Sequence, residues 1–316
     1  MQRIDISICI ITYKRPEGLR TLIESLLAQK FKEHKLTYEI VVVDNDKDGS
    51  AEYVVKEYKN VFPFIKYEIE PELGIPYARN RSVKIASGRY LAFIDDDEFA
   101  AENWLESLFI SLVKYDADAV FGPVEPILPE GSPDWIRKGG FFERPKYIEG
   151  AEVPSGRTSN ALVKKKWTEL INPPFDTSMR FTGGTDSKFF KKIKKKNGCL
   201  IWTANAVVYE KVDPSRLNTK WLLMRALRGG QCFAKTRLSN STILEKIVHI
   251  LYRAGLASIS MTMAMIAAPF GYDKLIWWLR KFFSNIGQIS VVFTNSMHEE
   301  YSPEKYRKST KSYEKN

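Results

Sequence analysis

Four consecutive acidic residues, Asp95, Asp96, Asp97 and Glu98, follow directly on the largely apolar segment Tyr90–Ile94. That segment is short, partly aromatic or β-branched, and preceded by Ser-Gly, so it predicts a buried strand that ends at the carboxylates. Adjacent carboxylates repel one another unless a positive charge lies among them. Since hard oxygen ligands suit Mg²⁺ or Mn²⁺, this stretch predicts a divalent cation that bridges the phosphates of a ligand, the alternative being a solvated acidic turn.

Two earlier apolar segments, Ile4–Thr12 and residues 39–43, also predict buried strands that end in polar residues. Tyr13 and Arg15 follow the first segment, and Asp44 follows the second. Because parallel strands end at one edge of a sheet, and ligands of such sheets bind beyond that edge, we expect these side chains to meet the acidic residues there. This convergence favours a ligand-binding site over a solvated turn.

The residues at this edge fit a ligand made of a base, a ribose and a metal-bridged diphosphate. Tyr13 could stack on the base, and Asp44 could accept one of its N–H groups. Asp95 could bind ribose hydroxyls, Asp97 could hold the metal, and Arg79 could reach the base or a phosphate. The sequence has no GxGxxG after the first strand, which disfavours a dinucleotide, and no GxxxxGK[ST], which excludes a P-loop.

Strand-like and amphipathic helical segments alternate over roughly the first 125 residues, which predicts an α/β fold with a mostly parallel, Rossmann-like sheet and right-handed crossovers. Residues 126–154 are rich in Gly, Pro and aromatic residues and predict a long loop region over the sheet edge. This region is either a lid or acceptor wall, or a packed structural excursion.

The formal charge of +10 over 316 residues indicates an anionic partner or surface. The densest basic runs, residues 164–166 and 191–196, lack interleaved aromatic residues, so we expect an anionic membrane surface rather than nucleic acid. Three cysteines without a CxxC indicate a reducing compartment and disfavour a disulfide scaffold or a structural zinc site. Three isolated histidines disfavour a Ser-His-Asp triad, and no signal peptide is visible.

Four blocks occur in order along the chain: SICIITYKRP, VVVDN, GIPYARNRSVKIASGRYLAFIDDDE and FTGGTDSKFF. Together they resemble the family 2 glycosyltransferases of the GT-A fold, over about residues 6–237. The resemblance implies a nucleotide-diphospho-sugar donor, a divalent cation (Mn²⁺ or Mg²⁺) and transfer with inversion. Asp97 corresponds to the metal-binding acid of the DxD pair. The residues that the resemblance places in the donor site are Thr12, Tyr13, Arg15, Asp44, Arg79, Asp95 and Asp96.

The last block contains the candidate catalytic base. Gly183 and Gly184 let the backbone turn tightly, and Asp186 then starts a helix. From these residues alone, Asp186 is an acid that interacts with the helix dipole. The resemblance implies instead that it takes the proton of the acceptor hydroxyl. Family members usually have Gly-Glu-Asp at this point, whereas this chain has Thr185 in place of the glutamate.

Later segments add three candidates. Glu210 stands where many family members have a histidine that reaches the metal, so it is either an oxygen ligand or a structural residue. Arg225 and Arg228, spaced i, i+3 on a predicted helix, either hold diphosphate oxygens or form surface ion pairs. The QxxRW motif of processive members is not present in that form, which favours addition of a single sugar.

The C-terminal quarter differs in composition from the rest of the chain. Residues 254–272 are uncharged but only moderately apolar, and residues 275–293 place Trp and Phe beside basic side chains. We expect an interfacial or re-entrant membrane anchor, the alternatives being a true span and helices packed on the catalytic domain. The predicted domains are residues 1–238, catalytic, and 239–316, helical with a polar tail that frays.

These predictions describe an enzyme of polysaccharide biosynthesis at the cytoplasmic face of a membrane, with a glycan or lipid-linked acceptor. Two alternatives stay open. A sugar nucleotidyltransferase shares the fold but should carry a Gly-rich, basic loop after the first strand, where residues 12–18 contain one glycine. The other alternative is a catalytically silent protein that binds nucleotide sugars or polyanions at the membrane.

Overall fold

The structure is a computed structural model that describes residues 3–180, 183–238 and 241–294. Its contacts divide the chain into two compact units. Among the described residues, the first unit contains residues 3–126 and 144–211, and the second contains residues 127–143 and those from 212 to 294. The predicted domain boundary at residue 238 stays a prediction, and the contacts group residues 212–238 with the helices that follow.

Ten strands form two sheets. The strands are β1 (Ile6–Thr12), β2 (Tyr38–Asp44), β3 (Ile65–Ile69), β4 (Tyr90–Ile94), β5 (Glu98–Ala100), β6 (Ala119–Phe121), β7 (Val124–Ile127), β8 (Asn160–Lys164), β9 (Leu200–Trp202) and β10 (Val208–Lys211). The central sheet has the order β3-β2-β1-β4-β8-β6-β9, and the small sheet has the order β5-β10-β7. Within the central sheet, β8 runs antiparallel to its neighbours β4 and β6, and the other pairs are parallel.

The helices are α1 (Pro16–Leu27), α2 (Glu52–Lys59), α3 (Ile75–Ile85), α4 (Trp104–Lys114), α5 (Asp134–Gly139), α6 (Lys166–Leu170), α7 (Thr185–Lys195), α8 (Thr219–Arg237), α9 (Ile243–Ala267) and α10 (Tyr272–Phe293). One apolar cluster packs α1, α2 and α4 on one face of the central sheet, and another packs α3, α6 and α7 on the opposite face. The strands are therefore buried on both faces, as their near-continuous apolar sequences predict. The predicted α/β fold and helical C-terminal region are confirmed.

The region predicted as one long loop is divided between the two units. Its first part contains α5, and Trp135, Phe141 and Phe142 pack there in an apolar cluster with Leu222 and Ile276 of the second unit. Its later part belongs to the first unit. The first part is therefore a packed structural excursion, which is one of the two alternatives that the sequence left open.

Helix α9 of the second unit buries small or polar residues and exposes large apolar ones. The buried residues of α9 and α10 are His249, Ala257, Ser260, Ala264, Ile276, Asn285, Gly287 and Gln288. The large apolar residues exposed on α9 are Ile243, Leu244, Ile247, Val248, Leu251, Tyr252, Ile259, Met265 and Ile266. Amphipathic helices of soluble proteins have the reverse arrangement. Among the described helices, Ile243–Phe270 alone is long and apolar enough to cross a membrane, with a mean hydropathy of 1.4 over its 18-residue window.

Candidate active site

Three parallel strands bring the predicted site residues to one edge of the central sheet. Thr12 at the end of β1 pairs with Asp44 at the end of β2. On the other side of β1, Cys9 pairs with Phe93, so β4 ends at the same edge. Asp95 and its acidic neighbours therefore follow β4 beside the ends of β1 and β2, as the sequence predicts.

Asp96 and Asp97 are held by residues that follow β1. Thr12 Oγ1 donates to Asp96 Oδ2 at 2.8 Å. Arg15 Nη1 lies 3.1 Å from Asp96 Oδ1 and 3.0 Å from Asp97 Oδ2, so one guanidinium group bridges two carboxylates. Asp96 is buried, whereas Asp97 is only partly buried. The exposed part of the acidic turn therefore includes the carboxylate predicted to bind the metal.

Arg79 connects the acidic turn to the start of α7. Its buried guanidinium group lies 3.7 Å from Asp95 Oδ1, and its Nη1 donates to Thr185 Oγ1 at 3.5 Å. The same group lies 5.2 Å from the centre of the Phe175 ring. Thr185, which replaces the usual glutamate, is thus buried against an arginine of the predicted donor site.

Asp186 follows Thr185 in the first turn of α7. Gly183 and Gly184 have φ angles of 74° and 86°, which confirms the tight turn predicted before the helix. The backbone N–H of Ser187 donates to Asp186 Oδ1 at 2.8 Å. The carboxylate is half-buried. Arg79 therefore links the acidic turn to Thr185, the residue that precedes the candidate base. The preceding residues of this block, Phe181 and Thr182, lie outside the described residues.

Glu98 and Glu210 share an arginine that the sequence did not single out. The two glutamates face each other where β5 pairs antiparallel with β10. Arg144 Nη2 lies 2.5 Å from Glu210 Oε2 and 3.7 Å from Glu98 Oε1, and Arg144 Nη1 donates to Ser159 Oγ at 2.7 Å. Arg144 lies in a loop that contains no recognisable sequence motif, so the sequence pattern could not identify it as a site residue. The proposed metal role of Glu210 stays a prediction.

Two carboxylates of this cluster, those of Asp95 and Glu98, have raised pKa values. Desolvation raises the pKa of Asp95 to about 7, against the opposing charge of Arg79 and with a further increase from Asp97. Burial also raises the pKa of Glu98 well above its usual range, and the carboxylate of Asp95 adds to this shift. Burial alone would lower the pKa of Arg144, but the charges of Glu98, Glu210 and Asp95 raise it. These shifts show that ionising all the carboxylates is unfavourable without added positive charge.

Asp44 has a different environment from the acidic turn. It is fully buried, and it accepts the N–H groups of Asp46 and Ala51 and the hydroxyl of Tyr67, each at 2.9 Å. Burial raises its pKa, although these hydrogen bonds oppose the shift. The side chain therefore shapes the loop that leads into α2. Its role in accepting a base N–H stays a prediction, as does stacking by the half-buried Tyr13.

Two asparagines, also not predicted, hold the loops around the site. Asn45 Nδ2 donates to the carbonyl oxygens of Glu70 and Glu72 at 2.8 Å, and its Oδ1 accepts Gly74 N–H at 2.7 Å. Asn80 on α3 exchanges two hydrogen bonds with the backbone of Phe175. The sequence offers one indication of their importance, which is that Asn45 lies within the block VVVDN and Asn80 within the block GIPYARNRS.

Arg225 and Arg228 lie on α8, in the second unit. The guanidinium group of Arg225 lies 4.9 Å from the centre of the Trp221 ring. That these two arginines hold diphosphate oxygens stays a prediction. The tail predicted to fray falls within residues 295–316, which lie outside the described residues.

Comparison with solved structures identifies the fold. The mannosyltransferase PcManGT from Pyrobaculum calidifontis, solved with GDP-Man and Mn²⁺, gives a TM-score of 0.63 at 18% identity, over 94% of this chain and 89% of that one. Residues 1–349 of TarS from S. aureus, solved with UDP, give a TM-score of 0.52 at 15% identity, over 94% and 93% of the two chains. The fold is therefore that of the GT-A glycosyltransferases, as predicted.

Sequence comparison identifies the family. Residues 7–171 match the family Glycosyl transferase family 2. The succinoglycan biosynthesis protein ExoM of Rhizobium meliloti (strain 1021) is 32% identical over 268 residues, which is 84% of this chain and 85% of that protein. The chain belongs to glycosyl transferase family 2 and is a glycosyltransferase acting on a nucleotide sugar. This confirms the predicted enzyme class over the two alternatives, a nucleotidyltransferase and a silent binding protein.

Proposed function

We propose that this glycosyltransferase moves a single sugar from a nucleotide-diphospho-sugar to a glycan or lipid-linked acceptor in polysaccharide biosynthesis, with inversion and with a bound divalent cation. The observation that carries the proposal is the connection Asp95–Arg79–Thr185, which joins the acidic turn to the first residue of α7, next to Asp186. This connection supports the proposal because the acidic turn is the proposed site of the metal-bound diphosphate and Asp186 is the proposed base.

The side chains of the acidic turn fit a divalent cation. Within the described part of the chain, five carboxylates, those of residues 95–98 and Glu210, lie with three guanidinium groups, those of Arg15, Arg79 and Arg144. Full ionisation leaves two negative charges in excess. No three His, Cys, Asp or Glu side chains of the described residues converge as a complete metal site. Mg²⁺ commonly binds through one or two carboxylates together with substrate phosphates.

We assign Asp97 and Glu210 as the protein's oxygen ligands and the residues around β1 and β2 as the nucleotide site. When bound, the cation neutralises charge on the departing nucleoside diphosphate. Arg15 pairs with Asp97 in the structure and lies beside that position. Thermal melting with a panel of nucleotide sugars, with and without Mn²⁺, tests the assignment, since a donor bound to the folded state raises the melting temperature.

Asp186 is the proposed general base. As the acceptor oxygen bonds to the anomeric carbon, the bond from that carbon to the diphosphate breaks, and the hydroxyl proton passes to the Asp186 carboxylate. Attack from the side opposite the leaving group inverts the anomeric carbon. The hydrogen bond from Ser187 N–H to Oδ1 orients the carboxylate for this transfer.

Replacement of Asp186 by Asn tests the base assignment. We expect transfer to fall by about 10²–10⁴-fold, because the amide cannot take the proton, while binding of the nucleotide sugar is retained. Binding is measured by calorimetry and transfer by release of the nucleotide. Glu102→Gln, which removes a carboxylate from an exposed ion pair with Lys30, is the control and should leave both unchanged. Full transfer by Asp186→Asn would show that another group is the base.

We also infer that α9 lies in the surface layer of a membrane, at the cytoplasmic face. The large apolar residues that it exposes would be covered by lipid, whereas its buried face carries small and polar residues. Close packing through glycine supports this: a Cβ on Gly287 would lie 2.0 Å from the Leu227 carbonyl oxygen of α8. Lys246 and Arg253 in the first half of α9 favour an interfacial position over a span.

A further inference from the structure

A pocket of about 140 Å³ lies in the first unit, at the edge of the central sheet that carries the acidic turn. The antiparallel strand β8 begins at this edge, because Asn160 pairs with Ile94 at the end of β4. β6 and β9 end there as well, with Phe121 paired to Trp202. The lining residues used below are Phe121, Arg144, Tyr147, Ser155, Ser159 and Trp202.

Two lining residues connect the pocket to the proposed catalytic groups. Arg144 contacts Glu98 and Glu210 of the acidic cluster. Ser155 Oγ donates to the carbonyl oxygen of Ser187 at 3.3 Å, next to Asp186 in the first turn of α7. The pocket therefore lies between the acidic cluster and the candidate base.

The pocket walls combine aromatic rings with hydrogen-bonding groups. Tyr147 and Trp202 contact each other with ring centres 5.4 Å apart and planes at 64°. Tyr147 is 45% exposed. The indole N–H of Trp202 is buried and has no hydrogen-bond partner among the described residues. Buried indole N–H groups normally have a partner, and this unpaired donor belongs to a residue that lines the pocket.

These walls match one sugar ring. The C–H face of a pyranose packs on aromatic rings, while its hydroxyls can accept from an indole N–H or a guanidinium and bond to serine hydroxyls. Pockets for drug-sized ligands measure roughly 300–1,000 Å³, so a cavity of about 140 Å³ accommodates a single ring rather than two.

We propose that this pocket binds the terminal pyranose of the acceptor, with Tyr147 and Trp202 as its contacts and Arg144 as a positioning residue between it and the acidic cluster. The inference rests on the proposed function. The acceptor is favoured over the donor sugar because the pocket adjoins the turn of Asp186, which must reach the acceptor hydroxyl. The proposed nucleotide site lies at the other half of the edge, around β1 and β2.

Binding of methyl pyranosides to the full chain tests the proposal without any need for the natural acceptor. Saturation-transfer NMR is recorded with the methyl glycosides of glucose, galactose and mannose. At least one should bind to the wild type, and its signal should fall about tenfold in Tyr147→Ala and in Trp202→Phe, which keeps a ring but removes the N–H. Tyr53→Ala, an exposed tyrosine on α2, is the control and should bind as the wild type does.

A further variant separates this proposal from the proposed function. Pyranoside binding needs the pocket but neither the nucleotide sugar nor the base, so Asp186→Asn should retain it even if the base assignment fails. The proposal is overturned if no methyl pyranoside binds to the wild type, or if both pocket variants bind as the wild type does.

Discussion

Arg144 is the residue whose loss we expect to be most damaging to the cluster. The Glu98 side chain is only 1% exposed, and Arg144 is its ion-pair partner. Removal of one partner of a buried pair leaves a charge without compensation. We expect Arg144→Ala to lower the free energy of unfolding by about 3 kcal/mol. Arg144→Lys should lower it by less, because lysine restores the charge but cannot form the guanidinium contacts with both the glutamates and Ser159.

Urea unfolding at neutral pH measures these losses. Lys146→Ala is the matched control, since Lys146 forms an exposed ion pair with Glu125 two residues further along the same loop. Pairs of that kind contribute about 0–1 kcal/mol. Equal losses for the two alanine variants would contradict the view that Arg144 compensates a buried carboxylate.

Glu39 gives a pH-dependent prediction away from the site. Burial alone would raise the pKa of Glu39, but Lys66 and hydrogen bonds from Ser7 and Ser87 lower it below its ordinary value of 4.5. The folded state then binds fewer protons than the unfolded state, so this stabilisation is present above about pH 4.5 and is lost as the pH falls through the lower, folded-state pKa.

We expect Glu39→Gln to lower the free energy of unfolding by about 2 kcal/mol at pH 7, because a charged hydrogen-bonding partner is lost. The difference from the wild type should shrink as the pH falls below about 4.5. Urea unfolding across a pH series measures it, with Glu130→Gln, at an exposed position, as the control. A difference that stays constant down to pH 3 would rule out this account.

At the scale of elements, the sequence predicts strands and helices that have a periodic pattern, but it does not predict positions that depend on contacts between distant segments. The apolar strands and the polar residues at their ends follow from periodicity and from the common edge of parallel strands. Residue type alone can mislead at a helix start: Ser50 has the residue type of an N-cap, but α2 begins at Glu52 after Ala51, and the Ala51 N–H bonds to Asp44 from β2. Contacts between distant segments decide such positions, and spacing along the chain does not reveal them.

The site shows the same division. The acidic turn was predicted because carboxylates at a strand end are a local pattern, whereas the base role of Asp186 was predicted from the family resemblance. Arg144 was missed because it reaches the cluster from a loop, 66 residues before its partner Glu210. The sequence also left open whether residues 126–154 form a lid or a packed excursion. Gly and Pro indicate irregular backbone, but they do not show which unit that backbone packs against.

Asn80 provides a test at this scale. Its two hydrogen bonds to Phe175 hold α3 against the segment that precedes α7. We expect Asn80→Ala to speed amide exchange in residues 172–180. It should also lower the turnover rate by about 10–100-fold, because a small displacement of Asp186 disturbs the reacting geometry, while nucleotide affinity is retained. Exchange is followed by mass spectrometry.

Asn60→Ala, at the exposed end of α2, is the control for Asn80→Ala and should change neither quantity. A normal turnover rate despite faster exchange would show that the segment does not position Asp186. A loss of nucleotide affinity would place Asn80 in the donor site instead.

At the scale of the whole molecule, the large apolar residues that α9 exposes predict membrane binding. We expect the wild type to float with liposomes of phosphatidylcholine and phosphatidylglycerol. Ile247→Glu combined with Leu251→Glu should prevent flotation, because both side chains are exposed on α9 and charge there opposes insertion. Leu170→Glu alters a leucine that is 63% exposed in the first unit and should still float. A wild type that stays with the soluble fraction would refute the membrane proposal.

The antiparallel direction of β8 has a consequence for how these enzymes diversify. Its neighbours deliver their chain ends to the catalytic edge, whereas β8 starts there, so the stretch from Arg144 to Ser159 reaches that edge before the strand begins. Its last residue leads directly into β8, and its backbone pairs with β9 through Gly150, Ala151 and Val153, so an exchanged stretch must keep these hydrogen bonds. A chimera carrying this stretch from a relative should adopt the relative's glycan preference and keep its own nucleotide preference.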